Sequence, residues 1–366
     1  MSCARRTLAF AASALLAALS STPAALATDS LTRSFPFRAG ERLQIHSDMG
    51  HIELRHAATN ELTVTVTVEK GKISDYLQID FNDTPGGVEV EGKKVSSFGS
   101  GWLSGWFSDS PDLKFTVDAP EKLDLDLRTG GGHITLPSLE GEVSVRTSGG
   151  HITFADLKGH ISAETSGGHI KGGVISDGGT LDTSGGHITI GGAGRDLKVS
   201  TSGGHITIGT VEGKLSAETS GGHIQVEKVD GTMELDTSGG HVKARGCTGD
   251  ALVSTSGGDV NLENMGGHVS AHSSGGDVTV SLSQGNSAGA DLSTDGGGVI
   301  VRVPSGVGFN VDARADGGEV EALLQSVKTQ GTTSRSRLQG TIGGGGSMLR
   351  LRSSQGNIRI TESAGD

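Results

Sequence analysis

Cysteine is nearly absent: two occur in 366 residues, and Cys3 falls inside an apolar leader. Cys247 is then the one cysteine of the mature chain, which excludes an internal disulfide in any compartment. It stands where Val211 and Val229 stand in an apolar column, the place of a buried small hydrophobe. Basic residues are also short. Thirty Lys and Arg against 42 Asp and Glu give a net charge of −12, and −14 once Arg5 and Arg6 leave with the leader. Such a surface excludes nucleic acid as a partner. Beyond the leader no apolar run is long enough to cross a membrane. No Ser-His-Asp arrangement or isolated carboxylate pair stands out from the surrounding pattern, which argues against an enzyme.

The leader itself has Arg5 and Arg6, an apolar stretch from Leu8 to Leu19, and small residues around Ala25 and Ala27. That is the pattern of a secretory signal peptide over residues 1–27, so the protein is expected to be exported, to the periplasm or to the extracellular cell surface.

What the chain has in abundance is glycine, 61 residues of it at fixed spacing. Ser-Gly-Gly-His or a close variant places His133, His151, His169, His187, His205, His223 and His241 at intervals of 18, and Asp259 and Asp277 continue the series. An unbroken period of that length signals stacked repeats. The units are rich in Thr, Ser, Val and Ile with apolar residues alternating, so each is read as strands. Ile134, Ile152, Ile170, Ile188, Ile206 and Ile224 form one inward column; Leu125, Val143, Ile161, Leu197, Leu215 and Met233 form another on a second strand. The fold class is therefore all-β: a β-solenoid, β-helix-like, of 18-residue coils with about two short strands per coil. The Gly-Gly pair marks a corner needing either positive φ or close packing on the next coil. The Thr column just before it, Thr147 to Thr255, is expected to hydrogen-bond the corner backbone.

Four regions follow: the signal peptide at 1–27, a β-rich N-terminal cap region at 28–120, the regular solenoid at 121–285, and irregular coils with a C-terminal cap at 286–366. Alternating strands are expected at 62–69 and 76–81, with a weak coil-like echo at 47–54. The stretch 335–347, with four consecutive glycines, is expected to be an exposed loop. Trp102, Leu103, Trp106 and Phe107 form the least repeat-like cluster. It is expected to plug an open end of the rod, or else to contact a partner or a membrane surface.

The T-S-G-G-H-I and T-S-G-G-D-V units resemble those of a bacterial domain-of-unknown-function family labelled "putative adhesin", over residues 43–360. The resemblance implies a β-solenoid with an extracytoplasmic role and brings no catalytic residues. The regular histidine column is not explained by it. The expected function is thus a noncatalytic adhesin-like binding or scaffold protein of the cell envelope, its partner an envelope or extracellular protein or a glycan. One alternative is a divalent-metal-binding protein, because imidazoles about 4.8 Å apart on an outer face could share Zn²⁺, Ni²⁺ or Cu²⁺. A straight ladder supplies ligands from one side only, which favours instead a structural column of ring on ring and no cofactor. A second alternative is a polysaccharide-active β-helix enzyme using Glu164, Asp182, Glu218 and Asp236, although these too follow the repeat. Asp259 and Asp277 are too few for repeated calcium sites. The outward column Thr135, Thr153, Lys171, Thr189, Thr207 is broken by charge, which argues against ice binding.

Overall fold

The computed structural model describes residues 28–57, 61–95, 112–324, 327–329 and 334–363. The leader, and the cluster of Trp102, Leu103, Trp106 and Phe107, lie outside the described residues. Within them the chain is β-strand and turn, apart from one short helix, Ile73–Tyr76. β-Branched residues alternating with Thr and Ser suit a pleated, half-buried surface, and the recurring glycines cut the chain into short legs.

The regular coils stack in two long parallel sheets. Ile134–Leu136, Ile152–Phe154, Ile170–Ile175, Ile188–Ala193 and Ile206–Val211 succeed one another in the first. Val143–Thr147, Ile161–Thr165, Gly179–Thr183 and Leu197–Thr201 do so in the second. The register is the sequence period itself: Ile134 faces Ile152, Ile152 faces Ile170, and Val143 faces Ile161. Like side chains therefore sit directly over one another, and neighbouring coils cover what a single coil leaves exposed. Ile152, Ile188, Ile206 and Leu215 are completely buried, each worth about 1.5–3 kcal/mol relative to exposure. Two residues further along the strand, Leu136, Phe154, Gly172 and Ile190 form a parallel column whose gap at Gly172 the Phe154 ring fills: a Cβ on Gly172 would lie 2.1 Å from that ring.

Both ends depart from sequence order. Arg42–Ser47 and His51–His56 form a full coil, with Leu43 facing Leu125 and Ile52 facing Ile134. Outside it lie later segments, Gly87–Lys94 and Leu113–Ala119, which pair with it in parallel. Antiparallel strands then finish each sheet: Leu77–Thr84 on one, Glu61–Val68 and Asp29–Pro36 on the other. At the C-terminal end Ser347–Ser353 and Ile358–Glu362 stack on Ala290–Thr294 and Val299–Val303. Phe309–Ala315 and Val320–Leu323, earlier in the chain, lie outside them. Arg337–Ile342 pairs antiparallel with Phe309–Ala315 and buries Leu338 and Ile342. The expected loop at 335–347 is thus mostly strand. Turns remain at 335–336 and in the glycine run, which has positive φ at Gly343, Gly344 and Gly345, and the strong turn signal of that run hid the short strand beside it.

Candidate functional site

The corner that carries the histidines satisfies its backbone groups in a fixed way. Thr165 donates its hydroxyl to the carbonyl of Gly150, 2.9 Å away, and accepts from the Gly168 N–H at 3.2 Å. Thr147, Thr183, Thr201, Thr219, Thr237 and Thr255 do the same in their coils. All are buried, and a buried polar group left unpaired at such a corner would cost about 1–3 kcal/mol. The Thr column has the structural role its position predicted. Of the two glycines, the second requires the absence of a side chain: a Cβ on Gly186 would lie 1.8 Å from the Gly168 carbonyl oxygen, whereas one on Gly185 meets nothing closer than 3.8 Å. Neither has positive φ, so close packing, not a left-handed turn, accounts for the second glycine, and neither cause requires the first.

One corner N–H remains, and the histidine of the adjacent coil takes it. His151 N–H donates to His133 Nδ1 at 2.8 Å, and the relation repeats for His169 on His151, His187 on His169 and His205 on His187. The rings stack with centroids 4.8–5.0 Å apart and planes within 1–8° of parallel from His133 to His223. At the end of the row Asp259 N–H donates to His241 Nδ1, Asp277 N–H to Asp259 Oδ1, and Gly298 N–H to Asp277 Oδ1. Histidine and aspartate therefore interchange because each places an acceptor at the same point along the side chain. Asp124, Asp196 and Asp250 use Oδ1 in the same way at another turn, and Asp156 does so at a third place in the coil.

The row has a member that the 18-residue period alone misses. His51 stacks on His133 at 4.9 Å and accepts the His133 N–H through Nδ1. The two are 82 residues apart in sequence, although Gly50, His51 and Ile52 repeat the Gly-His-Ile signal.

A neutral imidazole whose Nδ1 accepts an N–H carries its proton on Nε2. Each rung thus turns a donor outward. Burial first, and neighbouring imidazoles second, hold His133, His169 and His223 below the usual histidine pKa. A metal ion fits this row poorly, since ligation through Nε2 would move the proton to Nδ1 and break the bond to the next coil. Among the described residues no group of three His, Cys, Asp or Glu side chains converges as a cage.

Two other sequence candidates are also placed. Cys247 is buried, its Sγ 3.3 Å from the Gly231 and Gly249 carbonyl oxygens, and burial pushes its thiol up to about 11. It is a packing residue, inert as a nucleophile. On the outer face of the second sheet Glu164 pairs with Arg146 at 2.7 Å, and Asp182 and Asp236 accept from Ser200 and Ser254. These carboxylates are engaged one coil apart and do not face each other across a cleft.

A family model described as Toastrack DUF4097 matches residues 40–247 and 232–361. The chain belongs to the Toastrack DUF4097 family. The matched stretches of this Toastrack chain run from its first coil to its last strand, and they overlap inside the regular repeat. No curated protein sequence matches it. Among solved structures it is similar to a "putative adhesin" from Parabacteroides distasonis, at 11% identity and a TM-score of 0.30, over 90% of this chain and 97% of that one. It is also similar to a "putative cell adhesion protein" from Clostridium sporogenes, at 9% identity and TM-score 0.21, over 92% and 100%. A "putative lipid binding protein" from Parabacteroides distasonis matches at 12% identity and TM-score 0.23, over 92% and 97%. At such identities and TM-scores these likenesses carry no argument about what the Toastrack chain binds. Among the described residues no helix is long and apolar enough to cross a membrane.

Proposed function

We propose that this chain is a noncatalytic binding or scaffold protein of the cell envelope, exported by its leader and offering the long outer faces of the rod to an envelope or extracellular partner. One observation carries the reading: the outward groups recur coil after coil at one register instead of converging on a unique constellation. The imidazoles bond to backbone and the second-sheet carboxylates to Ser and Arg neighbours. Repetition of weak contacts along a stiff support gives avidity, whereas catalysis needs groups of different kind around one point.

The test has two parts. Fractionation of the native cell is expected to find the protein in the periplasm or at the surface, and its deletion is expected to reduce attachment to surfaces or neighbouring cells. Incubation of the purified protein with a panel of polysaccharides is expected to give no cleavage. Turnover of any of them would replace this reading with the enzyme alternative.

A further inference from the structure

Along the first sheet, the column residue and those two and four places after it all point outward and form a strip along the rod. In the five coils that begin at His133, His151, His169, His187 and His205, this strip is unlike the rest of an acidic chain. Behind the imidazoles stand Thr135, Thr153, Lys171, Thr189 and Thr207, and behind those Pro137, Ala155, Gly173, Gly191 and Gly209. None of these positions carries a carboxylate, in a protein of net charge −12. From Gly173 to Gly209 the floor beside the hydroxyl row is backbone, packed so closely that a Cβ on Gly209 would lie 1.9 Å from the Gly191 carbonyl oxygen; one carboxylate borders it, Asp156 beside Gly173, its Oδ1 committed to the Val174 N–H at 2.8 Å. Acid returns at both borders: Glu53 lies beside Thr135 on one side, and Glu227 opens the other.

The imidazole edges make this strip chemically polar in one sense. Each Nδ1 is held by a backbone N–H, so each ring can only donate outward, through Nε2–H, at a repeat of 4.8–5.0 Å. A line of fixed donors is complemented by a line of acceptors, and ionised oxygen is the strongest acceptor.

We propose that this strip binds a linear acidic polysaccharide, its carboxylates accepting from the Nε2–H row and its hydroxyls pairing with the threonines. This names a ligand class for the binding reading above and rests on it. Nucleic acid also carries a line of anionic oxygens, but proteins that bind single strands present aromatic faces for the bases and a strongly basic groove. Here the ring faces cover one another and Lys171 is the one cation on the strip. Each contact is weak and exposed, so binding depends on engaging many rungs at once.

The test measures binding of the purified protein to polygalacturonate, with dextran as the neutral polymer and oligothymidylate as the other polyanion. Polygalacturonate is expected to bind, more weakly as salt rises and as the polymer is shortened; the other two are not. In the double variant His169→Asp, His205→Asp each aspartate keeps the inner acceptor, as Asp259 and Asp277 do, but turns an acceptor outward. It is expected to fold, by circular dichroism and melting, and to bind about tenfold or more weakly. His169→Asn, His205→Asn keeps both the inner acceptor and an outward N–H, and is expected to bind within about threefold of the parent. Lack of polygalacturonate binding, equal binding of dextran or oligothymidylate, or undiminished binding by a folded aspartate variant would overturn the proposal. If deletion abolishes cell attachment while the purified protein ignores polygalacturonate, the ligand class is wrong and the binding function stands. Polygalacturonate binding with unchanged attachment gives the converse.

Discussion

The middle of the rod and its two ends solve the same problem by different means. In the middle, each coil is covered by a copy of itself at a register of 18 residues, so one sequence pattern serves every coil. At the ends no further copy exists to cover the last one. There the chain inserts a coil out of sequence order and finishes with antiparallel strands, Asp29–Pro36 and Leu77–Thr84 at one end and Arg337–Ile342 at the other. Antiparallel closure is a local stop, because a strand that turns back on its neighbour does not continue the parallel repeat. Periodicity is cheap to encode but cannot terminate itself, and termination demands segments that break the pattern.

The largest expected effect is in the middle. Ile188→Asp puts a carboxylate into a completely buried column between Ile170 and Ile206, and is expected to cost on the order of 3 kcal/mol or more. Thr189→Asp, one residue on and exposed, is expected to cost a few tenths. Thermal melting compares the two, and equal midpoints would refute the inside-outside assignment on which the comparison of middle and ends depends.

The next effect lies within one corner. Gly186→Ala drives a methyl group into the Gly168 carbonyl and is expected to cost about 2–3 kcal/mol, while Gly185→Ala makes only ordinary contacts at 3.8 Å and beyond and is expected to be near neutral. If the two variants unfold at the same denaturant concentration, close packing is not what the second glycine provides.

Much of this was readable beforehand, and the reasons are local. Ile134 through Ile224, the Thr column and Cys247 announce their burial because every coil gives a position the same neighbours, so repetition in sequence is repetition in environment. The ends lack that redundancy. Ala290–Thr294 finds Ser347–Ser353 across a long excursion, and no local pattern states such a pairing. The strand Arg337–Ile342 was hidden by the glycines that follow it. The histidine column was visible as a column. Its bond from Nδ1 to the next coil's N–H was not, since it depends on which corner N–H the ladder leaves over. The replacement of histidine by Asp259 and Asp277 was the available clue.

A smaller effect separates the histidine coils from the aspartate coils and the ends. In the unfolded chain histidine titrates at its usual pKa of about 6.5, whereas folded His133, His169 and His223 are held lower, by burial and then by neighbouring rings. The folded state therefore binds fewer protons just below that pH. The stability contributed by these residues is fully present above the unfolded value and is lost as pH falls through it towards the depressed folded values. Protonation also fills Nδ1 and removes the acceptor for the next coil. The urea midpoint of the native protein is expected to fall between pH 7 and pH 5, and to fall less in a variant with His133, His169 and His223 changed to Asn. Parallel pH profiles for the two proteins would show that the row contributes nothing specific.

The smallest expected effect is none at all, and it distinguishes a row of donors from a row of ligands. For Zn²⁺ to bind at Nε2, the proton there must leave or move to Nδ1, where it would point at the N–H of the next coil and break a 2.8 Å hydrogen bond. Neighbouring rings would approach the ion from one side, 4.8–5.0 Å apart, whereas Zn²⁺ takes ligands tetrahedrally. The aspartate coils beyond His241 would differ little in this respect, since Asp259 and Asp277 commit Oδ1 to the same backbone bond. Calorimetric titration of the native protein with Zn²⁺ at neutral pH is therefore expected to match that of a variant carrying His169→Asn, His187→Asn and His205→Asn. Asparagine restores the inner acceptor, as Asn357 does by accepting the Glu319 N–H at 2.9 Å, so the fold gives no reason for the two titrations to diverge. A saturable heat seen in the native protein alone, with proton release that varies with the buffer, would mean that the rings exchange their backbone bond for metal. The histidine row would then be a ligand surface, and its outward donors would no longer be fixed.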